Sequence, residues 1–122
     1  MTTTDRELLQ RAAKAAGMRA GNGPGEYAWH PGLGCLSTLD ERNREVPWNP
    51  LHDDGDEARL EAACNIDIEW HTIGVVAMIN DKDLISTTDR FRETYADHSG
   101  DKQKARRYAG VRAAAAMAGE GE

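Results

Sequence analysis

Aromatic side chains are scarce in this 122-residue chain, at 6% with a single phenylalanine, so its core must be built largely from small aliphatics, above all alanine. No apolar run approaches the ~18 residues of a membrane-spanning helix. The opening Met1-Thr2-Thr3-Thr4-Asp5-Arg6 lacks the basic stretch and apolar core of a signal peptide, so the cytosol is the expected location. Only two cysteines occur, Cys35 and Cys64, in different expected elements and without a CxxC spacing. They read as free, buried thiols. Excess positive charge is also lacking: a net charge of -6 opposes non-specific binding to nucleic acid or an anionic membrane. No serine sits in a GxSxG elbow, and no lysine completes a (D/E)xK nuclease motif, since Ala12, Asn80, Gly100 and Lys102 stand two residues before the four lysines.

What is present is well punctuated. Thr4 and Glu7 have capping-box spacing, Leu8, Leu9, Ala12, Ala13 and Ala16 form one helical stripe, and Gly17 supplies a stop. Residues 20–25, with three glycines and a proline, read as loop. Tyr27 to His30 and Leu33 to Leu39 read as strands around Pro31-Gly32. Asp53 is the expected N-cap of a second helix, with Asp54, Asp56 and Glu57 in its first turn, Leu60, Ala63 and Cys64 inside, and Asn65 at its end. Ile66, Ile68 and Trp70 alternate with Asp67, Glu69 and His71, the pattern of a half-buried strand, and Val75 to Ile79 supplies its hairpin partner. A further strand is expected over 90–96. A last helix over 101–118 follows, with Tyr108, Val111, Ala114, Ala115 and Ala118 inside, and residues 119–122 read as a disordered tail. The order α-β-β-α-β-β-(β)-α has no βαβ repeat. It predicts a single α+β domain over 1–118: one antiparallel sheet of four to five strands with three helices packed on it.

Three segments resemble a family of small phage and prophage proteins described as having a phage α-β-α sandwich domain. Asp5-Arg6-Glu7-Leu8-Leu9 with Ala12 to Gly17 is similar to the family's opening helix. Trp48-Asn49-Pro50-Leu51 with Asp53 to Leu60 is similar to its central aromatic-proline-acid helix start, and Ala105-Arg106-Arg107 with Val111 to Ala115 to its closing helix. The charged stretch Asn80 to Asp89 and the glycine-rich loop near Asn22 depart from that pattern and are places for a protein-specific function. The resemblance implies a fold and a phage origin, and no catalytic residue.

Each chemical motif has a plainer reading. His52, Asp53, Asp54 and Asp56 suit a divalent cation, yet helix capping explains the same acids and the glycine comes too early for an EF-hand. Asp67, Glu69 and His71 share a strand face that solvation accounts for. His98 with Asp97 and Asp101 has the residues of an acid-base site, and equally those of a polar helix-capping loop. Neither cysteine has a sequence-adjacent base. No metal, cofactor or catalytic set is therefore expected. The leading expectation is an accessory protein that binds a host or phage protein. The alternative is a binder of a small molecule or nucleotide, drawing on Asn22, Trp48, Arg106 and Arg107. A metal-dependent hydrolase ranks last.

Overall fold

The computed structural model describes residues 4–21, 26–42, 44–79 and 90–118. Residues 22–25 of the glycine-rich loop, Asn22 among them, the charged stretch from Asn80 to Asp89 and the tail 119–122 lie outside the described residues.

The first helix, α1 (Asp5–Ala15), starts where the Glu7 amide donates to the Thr4 hydroxyl at 3.2 Å, and it ends before Gly17, whose φ of +86° suits the residue following a helix. A four-stranded sheet follows, in the order β1 (Arg19–Ala20), β2 (Glu26–His30), β3 (Cys35–Leu39) and β4 (Glu45–Trp48). The expected loop at Ala20 is instead part of a two-residue strand parallel to β2. The expected strand from Leu33 begins only at Cys35. The Leu33 and Gly34 amides both donate to the His30 carbonyl and close a tight turn there.

Helix α2 (Asp54–Cys64) begins at Asp53, whose carboxylate accepts the Asp56 amide at 2.9 Å. It ends at Asn65 in the left-handed region, φ 59°, and passes directly into β5 (Ile66–Trp70). β5, β6 (Gly74–Ile79) and β7 (Arg90–Thr94) make a second, antiparallel sheet of three strands. A 3-10 turn at Ala96–His98 leads to α3 (Lys102–Met117), capped by Asp101 through the Lys104 amide.

The α+β class with three helices stands, but the single sheet is corrected to two. α1 packs on the first sheet, α3 on the second and the two helices on each other, so among the described residues a helical layer separates the two ladders. α1 packs on β1 and β3 and against α3. α3 in turn packs on all three strands of the second sheet and on α2. α1 and α3 thus lie between the two sheets. α3 is buried at Ala105, Ala109, Gly110, Val111, Ala113, Ala114 and Ala115, more than the expected single stripe, because several elements surround it and small side chains let them approach. Tyr108 and Ala118, expected inside, are half-buried. One core joins these layers, with Leu9, Leu36, Leu51, Leu60, Val75 and Val111 all essentially inaccessible. No helix among the described residues is long and apolar enough to cross a membrane.

Candidate binding site

The β5–β6 hairpin places its largest apolar groups in solvent. Trp70 is 46% exposed and Ile73 at the tip is 70% exposed. Strand alternation predicts Trp70 on the helix-facing side with Ile66 and Ile68, and the register agrees, since Trp70 pairs with fully buried Val75. Trp70 nevertheless sits at the strand's end, beside the first turn of α3, where an open cleft of ≈ 690 Å³ begins. Trp70, His71, Thr72, Tyr95, Lys102 and Gln103 line that cleft. Its volume falls in the range of small-ligand sites, about 300–1,000 Å³.

The tip is held in place by its own backbone. The His71 amide donates to the Gly74 carbonyl at 2.8 Å, and the Tyr95 amide to the Ile73 carbonyl at 3.0 Å. The buried Tyr95 hydroxyl donates to the His71 carbonyl at 2.9 Å, tying the hairpin to the segment before α3. Gly74 is required here, because a β-carbon would press on the Glu93 carbonyl of β7. Lys102 lays its ammonium 5.3 Å from the Tyr95 ring centroid, and His71 pairs with Glu69 at 2.7 Å. Aromatic and apolar surface on a braced hairpin beside a cation is suited to holding a partner's side chain.

The residues singled out in the sequence sit elsewhere. Trp48 closes β4, half-buried against the core. Arg107 donates to the Leu51 carbonyl at 2.8 Å and to Asp54 at 2.6 Å. Arg106 forms a two-pronged pair with Glu61, both contacts at 3.0 Å. Both guanidinium groups therefore lock α3 to α2 and the loop before it, and neither lines the hairpin cleft. Of the acids read as helix caps, Asp53 is the cap. Asp56 is buried and accepts the Asn49 amide at 2.9 Å, stapling the Trp48-Asn49-Pro50 turn to the helix. His98 pairs with Glu93 at 2.8 Å rather than with Asp97 or Asp101, and Arg112 also reaches Glu93.

Sequence reasoning missed Glu57. Its side chain is 1% exposed, its Oε1 has no hydrogen-bond partner, and its Oε2 lies 3.5 Å from Arg106. Burial, followed by the neighbouring Glu61, pushes its carboxyl up to about 9, against the pull of Arg106, so it is neutral near pH 7. Gly110 of α3 makes the space, since a β-carbon there would overlap Glu57 Oε1. On the second helix Glu57 thus takes an inner position, while Ala63, expected inside, is exposed. The two cysteines are buried and free, with thiols pushed up chiefly by desolvation, which suits inert core residues.

Among the described residues, no group of three or more histidine, cysteine and acidic side chains is placed to hold a metal ion. Serine, histidine and carboxylate do meet on the first sheet, where Ser37 donates to Glu45 at 3.0 Å and His30 lies 3.3 Å from the same oxygen. The carboxylate there contacts both groups and the histidine does not contact the serine, which is the wrong order for a base-activated nucleophile. No family model, characterised protein or solved structure matches the chain.

Proposed function

We propose that this chain is a phage or prophage accessory protein that acts without catalysis in the cytosol, by binding a host or phage protein. The observation that carries the binding role is the braced hairpin tip, where Trp70 and Ile73 are held out in solvent beside the Tyr95–Lys102 cleft. Tryptophan is among the residues most enriched at the energetic centres of protein interfaces. A tip already fixed by backbone hydrogen bonds loses little entropy on docking. The phage context rests on the likeness of the α1, α2 and α3 segments to the phage family.

The test is affinity capture from host and phage-infected lysates with the wild-type chain and a Trp70→Ser/Ile73→Ser variant, run side by side. A stoichiometric partner held by the wild type and lost by the variant is expected. No partner on the wild type, or equal recovery on both, would overturn the reading. The nucleotide alternative requires Arg106 and Arg107 to leave Glu61 and Asp54. Its support would vanish if nucleotides left the melting temperature unmoved.

A further inference from the structure

We propose that the outer face of the β5–β6–β7 sheet is a self-association surface, occupied by a second copy of this chain across a two-fold axis parallel to the strands. α3 covers the other face, where Ile66, Val75 and Ala77 join the core. By strand alternation the outer face carries Asp67 and Glu69 from β5, Val76 and Met78 from β6, and Arg90 and Arg92 from β7, with Met78 half-buried and Val76 only 5% exposed between the charged rows. The register sets these six side chains in two rungs, Asp67–Met78–Arg90 and Glu69–Val76–Arg92.

One edge of this face is therefore acidic, the other basic, and the middle apolar. The charged rows are two strand spacings apart, about 9–10 Å, too far for direct pairing within one sheet. Among the described residues, the side chains of Asp67, Arg90 and Arg92 form no hydrogen bond or ion pair, and Glu69 reaches only His71. All four charged side chains are exposed.

Two such faces fit each other in one sense only. A two-fold axis along β6 lays the β5 of one copy over the β7 of the other. Each acidic row then meets a basic row, and Met78 meets the apolar centre of its partner. An axis across the strands would instead stack β5 on β5 and set like charges against each other. An isologous contact of this kind is the commonest form of homodimer. Three strands of about five residues give a footprint of roughly 15 Å on a side, about 225 Å² per copy and well below the ~800 Å² per partner of a standard interface, so the dimer is a weak, concentration-dependent one held chiefly by its charge rows.

Sedimentation equilibrium reads this directly. In ~0.1 M salt the mass should climb from 13.4 kDa toward twice that value as concentration rises from about 5 to 500 µM, and ~1 M salt should suppress the climb. Arg90→Glu/Arg92→Glu and Asp67→Lys/Glu69→Lys should each remain monomeric. An equimolar mixture of the two should form a heterodimer, which also shows that both variants fold. A wild type that stays monomeric throughout, a dimer that survives both reversals, or a mixture that fails to pair would each overturn the proposal. A tip variant at Trp70 and Ile73 should dimerise like the wild type, which keeps this result separate from partner capture.

Discussion

Replacing Glu57 with glutamine should change how stability responds to pH. An exposed glutamate titrates near 4.5, whereas the Glu57 carboxyl, buried against Gly110, is pushed up to about 9. Between those values the folded chain keeps a proton that the unfolded chain has released. Stability must then fall as pH rises, because the proton favours the folded state. The contribution is complete below the unfolded value and is lost progressively up to the folded one. The slope is about 1.4 kcal/mol per pH unit for one proton. A Glu57→Gln chain carries a neutral side chain of the same shape at every pH and has no such slope at this site. Urea denaturation of both chains at pH 5, 6, 7 and 8 isolates the difference, since every other titrating group is shared. The glutamine chain should gain roughly 3 to 4 kcal/mol on the wild type between pH 5 and pH 8. A difference that stays constant across that range would refute the burial of a neutral acid and would require Glu57 to be ionised beside Arg106.

Gly110→Ala should destabilise the fold by about 1 to 3 kcal/mol through overlap with Glu57 Oε1, and the loss in a double variant with Glu57→Ala should fall short of the sum of the two single losses, measured by chemical denaturation. Asp53→Ala should cost about 1 kcal/mol as the cap of α2 is removed, and added calcium or magnesium should leave its denaturation midpoint unchanged. Ile68→Ala, which withdraws a side chain packed on the core, should cost about 2 kcal/mol, whereas Glu69→Ala on the solvent face should cost under about 0.5 kcal/mol. Reversal of those two costs would place β5 one residue out of register.

Features written in neighbouring residues were legible in the sequence. Thr4, Asp53 and Asp101 cap the three helices because a cap reaches an amide only two or three positions ahead. The β5–β6 hairpin likewise follows from local alternation. Sheet membership did not, since whether β4 joins β5 depends on where α2 goes and no short window records it. Arg106 read as a ligand-binding cation because its partner, Glu61, is 45 residues away. Glu57 looked like one more first-turn acid. Only the absence of a side chain at Gly110, on another helix, reveals that it is inside. At Trp70 alternation gave the correct face and the wrong exposure, because a strand pattern does not say where the covering helix begins.

The position of α3 bears on how the chain reaches its fold. This helix follows all the other described elements in sequence, yet it is the surface on which α1, α2 and all three strands of the second sheet pack. Until α3 is made and docked, the second sheet lacks its covering helix and α1 lacks its main partner. The contacts between α1 and α3 also join segments far apart in sequence, so closing that loop opposes folding before the core repays it. The domain should accordingly fold in one cooperative step that waits for α3, with its apolar strands in need of protection until then.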